Sequence, residues 1–191
     1  MHLTSGYELT TAITNVVIFI TAIIGLFKIK NDKLWKLFFI LVIIDSFLGT
    51  IIHGFEMSIQ LNVLLWIILS IFFSITVNTF FVIFLRFKVR HIVILSVLFT
   101  LFMIVQIYYG MDFIFSFIVY IILIMFISIY YIIKDNVKNK KLFLIGFLIS
   151  FMAGIILLFK IDIPYIDHNG LGHLFFTITL IFFIKALKKN S

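Results

Sequence analysis

The side chains best equipped for chemistry in this sequence are histidines, and three of the five fall in two short stretches. Residues 43–56 read IIDSFLGTIIHGFE, and residues 166–180 read IDHNGLGHLFFTITL. In the first stretch Ser46, Thr50 and His53 recur at steps of four and three, so on a helix they share one face. Gly49 lies on that face, Asp45 sits beside Ser46, and Glu56 follows about one turn after His53. In the second stretch Asn169 is an N-cap candidate, because its side-chain oxygen can accept a free backbone N–H. Asn169, His173 and Thr177 then share a face, with His168 at its mouth. Imidazole is a good zinc ligand, and a catalytic zinc site typically has three protein ligands and a water. The metal lowers the pKa of that water and so supplies a nucleophile. His53, His168 and His173 form the candidate metal set. Asp45, Ser46 and Glu56 are the accompanying catalytic candidates, with Glu56 or Asp45 as proton acceptor.

Two readings of these residues stay open. Positions 168 and 173 differ by about 140° on an ideal helix, so both reach one ion only if residue 168 precedes the helix. If the helix starts earlier, Asn169 and His173 share the face and His168 points elsewhere. The alternative to a metal site is a polar network between helices. Asp45 has a structural alternative too, a hydrogen-bonded pair with Asn78, and Glu56 can be a solvated carboxylate at the interface. With no cysteine in the chain, a disulfide framework, a thiolate zinc site and a cysteine nucleophile are all excluded.

The elements that must carry these residues are apolar. Of 191 residues 64% are hydrophobic and 12% charged, and mean hydropathy is +1.29. A small soluble domain buries only part of the surface its unfolded chain exposes, so it has no place for this much apolar area. Lipid must be the solvent for most of the chain. Short polar breaks separate seven apolar runs, at about 8–29, 34–55, 61–85, 91–110, 112–133, 141–160 and 170–187. Each has the length of a helix that crosses a ~30 Å hydrocarbon core. A β-barrel would alternate apolar and polar residues, and IILIMFI at 121–127 does not. The expected fold is therefore an all-α integral membrane protein, one seven-helix bundle over residues 1–191.

Charge gives its orientation. Lys28, Lys30, Lys33, Lys36, Arg86, Lys88, Arg90, Lys134, Lys138, Lys140, Lys141, Lys185, Lys188 and Lys189 fall after runs one, three, five and seven. Lys160 alone is on the other side, with Glu8, Glu56, Asp112, Asp162 and Asp167. Short loops rich in Lys and Arg stay cytoplasmic, which predicts the N-terminus outside and the C-terminus inside. The net charge of +7 is thus a topological signal, not one for nucleic acid. The cytoplasmic lysines also suit anionic lipid headgroups. Trp35, Tyr108, Tyr109 and Tyr165 fit an interfacial aromatic belt. The first residues, MHLTSGYELTT, have neither a basic n-region nor a small-residue cleavage site, so run one is read as a spanning helix.

A histidine near the end of helix two and a histidine motif at the start of helix seven, in a seven-helix chain, resemble the CREST superfamily. That group includes alkaline ceramidases, progestin/adiponectin-receptor-like and haemolysin-III-like proteins, and Per1-type lipid-remodelling proteins. Its members carry Ser-x3-His near the end of helix two, an Asp in helix three and His-x3-His in helix seven. The three histidines hold zinc, and lipid amides or esters are hydrolysed. The N-out, C-in orientation matches the ceramidase branch. His53 takes the helix-two position and His173 the second helix-seven position. Gly49 stands where the serine would be and Asn169 where the first helix-seven histidine would be. Run three has no acid, with Gln60 and Asn62 as the nearest polar substitutes. The resemblance implies a zinc-dependent hydrolase acting on a lipid amide or ester at the outer leaflet.

The alternative is a non-catalytic binding or signalling protein that uses the same polar pocket for a small lipid or ion. A transporter is disfavoured, because no inverted repeat or Gly/Pro-broken helix pair is evident. Run seven has no lysine at its middle to hold a retinal. Richness in Phe, Ile, Lys and Asn suggests an AT-rich bacterial genome and hence a bacterial plasma membrane.

Overall fold

A computed structural model describes residues 2–3, 6–29, 32–85, 89–108, 113–135 and 137–188. These residues form seven helices: α1 (Gly6–Lys28), α2 (Lys33–Gly54), α3 (Ile59–Leu85), α4 (Val89–Tyr108), α5 (Phe113–Lys134), α6 (Lys140–Leu158) and α7 (His168–Lys188). Every helix end falls within about two residues of the corresponding apolar run. Two short strands, β1 (His2–Leu3) and β2 (Phe55–Glu56), pair antiparallel with His2 opposite Glu56. This pairing has no signal in the hydropathy pattern. Lys30, Arg86, Lys88, Tyr109, Asp112 and Lys189, assigned above to loops, belt or tail, lie outside the described residues.

Five helices, α1, α2, α3, α6 and α7, are long and apolar enough to cross a membrane. In α4 and α5 the stretches Val93–Val105 and Tyr120–Lys134 are apolar but shorter. Helices suit such a sequence because every backbone group is paired within its own segment. The hydroxyls are absorbed in the same way. Thr21, Ser46, Thr50, Ser70 and Thr79 each donate to the carbonyl four residues back on their own helix.

Neighbouring helices close a ring in the order α1, α2, α3, α5, α6, α7, with α7 packed back on α1 and α4 leaning on α3. Consecutive helices alternate in direction. One end of the ring therefore collects the basic turns, and the other collects the start of α7 and the end of α2. At the basic end Asp32 caps α2, accepting from the Leu34 and Trp35 N–H groups at 3.1 Å each.

Trp35 corrects an expectation. It is not an interfacial residue but is 3% exposed, at the centre of an aromatic cluster. It stacks on Phe143 at 5.7 Å and meets Phe84 and Phe183 edge-on at 5.8 and 5.7 Å. The indole sits on the first turn of α2, where the ring of helices draws it inward against α3, α6 and α7. Tyr165, by contrast, is 86% exposed in the loop before α7.

Helices α6 and α7 approach closely at Gly146. A Cβ there would stand 2.7 Å from the Phe183 ring, and the Gly146 carbonyl accepts from Thr179 Oγ1 at 3.1 Å. Phe183 is 1% exposed and packed against Trp35, Phe143 and Phe147, so making room for a methyl disturbs those contacts. Gly146→Ala is expected to destabilise the bundle by roughly 1–3 kcal/mol through overpacking. Leu148→Ala, on the lipid-facing side at 62% exposure, should be near neutral. Thermal unfolding in detergent checks both, and equal melting temperatures for the two variants would contradict this packing.

Candidate functional site

Between the helices lies a cavity of about 530 Å³ to which all seven contribute. Its polar lining is unevenly placed. Near the α7 start are Asn15, His53 and Asn169 with His173; roughly 12 Å deeper, eight residues back along α2, are Asp45 and Ser46. Beyond Asp45 the wall turns to Phe38, Val42 and Phe183, members of the aromatic and aliphatic core. The volume falls in the range of small-molecule pockets, which are typically apolar with a few placed polar groups.

The position of α7 decides which histidines meet. Its cap is Asp167, not Asn169: the Asp167 carboxylate accepts from the Gly170 N–H at 2.8 Å, and its carbonyl accepts from the Leu171 N–H at 2.9 Å. The same carboxylate oxygen accepts from Thr11 Oγ1 of α1 at 2.8 Å. The helix therefore begins at His168, and Asn169 and His173 face the cavity together. His168 turns away. Its Nδ1 and its backbone N–H meet Asp162 Oδ1 at 2.9 and 2.7 Å. These bonds hold the Asp162 carboxyl below the usual carboxylate range.

His173 is anchored to α1. Its Nδ1 lies 3.2 Å from Thr14 Oγ1, which also has the Thr11 carbonyl within 2.8 Å. A threonine on α1 thus does what an outer partner does for a metal-binding imidazole. His53 meets the edge of Trp66 in a T-shaped contact with ring centroids 5.7 Å apart. Asp167 lies near enough to act electrostatically on both imidazoles.

The candidate metal set is thus brought together in two of its three members. His53 and His173 line one cavity, while His168 is engaged with Asp162. Among the described residues, no three His, Cys, Asp or Glu side chains form a metal-binding group. As placed, these residues do not fit a three-ligand zinc site.

The catalytic candidates are also divided. Asp45 and Ser46 line the cavity, whereas Glu56 is exposed on β2. Ser46 Oγ is committed to the Val42 carbonyl at 2.6 Å. The pairing of Asp45 with Asn78 is overturned: Asp45 Oδ2 accepts from Thr76 Oγ1 at 2.6 Å instead. Positions 76 and 78 are about 200° apart on α3, so only one faces α2. Asn78 faces away from α2, donating to the Ser74 carbonyl and Ser96 Oγ and accepting from Tyr120.

Helix α1 supplies what sequence reasoning missed: Thr11, Thr14 and Asn15. Asn15 explains Gly49, because a Cβ at that position would stand 2.9 Å from Asn15 Oδ1. The only sequence cue was the polarity of TTAITN in an apolar run.

No curated protein and no solved structure matches the chain. A family model does match, over residues 10–191, so that all seven helices fall within it except the first turn of α1. The chain belongs to this family, DUF6962, a family of unknown function.

Proposed function

We propose that this is a seven-span membrane protein, with its N-terminus outside and C-terminus in the cytoplasm. In this reading it takes a small amphipathic molecule or lipid into the cavity between its helices. The cavity carries the reading: seven helices surround one space with histidines and amides at one end, Asp45 deeper, and mostly apolar walls. A bacterial plasma membrane suits it, and the lysines at the basic end would rest against anionic headgroups. The protein acts by binding; His53 and His173 with Asn15 and Asn169 recognise polar groups at the entrance.

A second reading is zinc-dependent hydrolysis of a lipid amide or ester in the same cavity, as the CREST resemblance implies. The position of His173 on a cavity wall shared with His53 supports it. The engagement of His168 with Asp162 weighs against it, as does the exposure of Glu56.

Three measurements test these proposals. The chain has no cysteine, so single cysteines report topology on a clean background. An impermeant maleimide added to intact cells should label Tyr165→Cys and spare Lys138→Cys; the reverse pattern overturns the orientation. Leu69→Trp and Val77→Phe, both in the cavity wall, should fill the space and leave the fold intact. Native mass spectrometry should find wild type released from the membrane with one bound amphipath and both variants without it. A wild type that carries nothing, or variants that retain it, would count against the binding reading. Metal analysis decides the second reading. One equivalent of zinc in wild type, lost in His53→Ala/His173→Ala, would support hydrolysis, and a folded, metal-free wild type would remove it.

A further inference from the structure

The deeper polar group of the cavity, Asp45, has an unfilled requirement. One of its oxygens, Oδ2, accepts from Thr76 at 2.6 Å. The other, Oδ1, is buried with no hydrogen-bond partner among the described residues. An ionisable side chain at this depth is costly, and such residues face a partner, a ligand or a water-filled space. Asp45 lines the cavity, and a turn of its carboxyl about the soft last torsion brings the buried Oδ1 to that space.

The surroundings narrow what can bond it there. The nearby hydroxyls are already used: Ser46 Oγ lies 2.6 Å from the Val42 carbonyl and Thr76 Oγ1 2.9 Å from the Phe72 carbonyl. Thr76 has a single proton and two acceptors within reach, the Phe72 carbonyl and Asp45 Oδ2. It can follow Asp45, giving its proton to an ionised carboxylate or turning to its own helix when the carboxyl is protonated. A hard inorganic cation such as Ca²⁺ takes about six to eight oxygen ligands, more than Asp45, Ser46 and Thr76 together present. The remaining wall near Asp45, including Phe38, Val42, Phe73 and Val77, is apolar. An organic ammonium meets both conditions. Its N–H groups give Oδ1 a charge-assisted bond, and its hydrocarbon part rests on the apolar wall.

Building on the cavity reading above, we propose that Asp45 is the receptor for a protonated amine on an amphipathic ligand. The ammonium seats on the unpartnered Oδ1, and the apolar body lies along the cavity between the Asp45 level and the His53–His173 entrance. An anionic amphipath would meet repulsion at Asp45, and a neutral one would leave the carboxylate without a counter-charge.

The test uses the full chain in phosphatidylcholine nanodiscs, with decylamine and decanol as probes and empty nanodiscs as the blank. Wild type should bind decylamine saturably, about tenfold or more tighter than decanol, the gain expected of a charge-assisted bond. Asp45→Asn keeps the shape and an acceptor for Thr76. It should abolish the amine preference, so that decylamine and decanol bind alike. Equal affinities in wild type, or an amine preference that survives in Asp45→Asn, would overturn the assignment. Should the variant not fold, the amine–alcohol contrast in wild type still decides. Saturable decanol binding that Leu69→Trp abolishes, with no preference for the amine, overturns this proposal and leaves the cavity reading intact. If neither probe saturates, both fall.

Discussion

A polar atom withdrawn from water must find its partner inside the same chain, and the architecture follows from that constraint. Most hydroxyls meet it locally by bonding to the preceding turn, which leaves them silent about tertiary structure. The few polar groups that reach between elements set the neighbours. Thr11 and Thr14 join α1 to the start of α7 through Asp167 and His173. Thr76 joins α3 to α2 through Asp45, and Tyr120 joins α5 to α3 through Asn78. Thr179 joins α7 to α6 at the close approach over Gly146. In lipid, where apolar contact gives little preference for one helix over another, such bonds and the small residues beside them specify the ring.

The cavity is what the ring leaves once these bonds are made. Its polar lining includes groups that also bond between helices, such as His173, Asp45, Thr76 and Thr179. His53, Asn169 and His173 collect at one end because α2 finishes and α7 starts there, a consequence of alternating helix direction. Asp45 lies at mid-depth on α2, opposite Thr76 of α3, and among the described residues no second carboxylate lines the cavity.

Helix positions were legible because run length and the placement of Lys and Arg depend only on the bilayer and on local backbone pairing. The site was legible in part. That His53 and His173 share a level follows from counting residues along α2 and α7. That His168 leaves the group turns on which residue of the Asp167-His168-Asn169 triplet caps α7, and all three offer a cap-competent side chain or neighbour in sequence. Thr11 on α1 tips the choice by donating to Asp167, a tertiary contact that no local spacing encodes. Asn15 and Thr14 were hidden for the same reason: on their own helix they look like ordinary minor polar residues. The choice of Thr76 over Asn78 by Asp45 was a matter of helix phase, where an error of two residues reverses the face.

The aromatic cluster around Trp35 has a bearing on how such a cavity would work. Phe38 and Phe183 belong both to that cluster and to the cavity wall, so the space ends on packed rings before the basic face is reached. A molecule held in the cavity would rest its inner end on aromatic faces, and the bulk of Phe38 and Phe183 would set how long it can be.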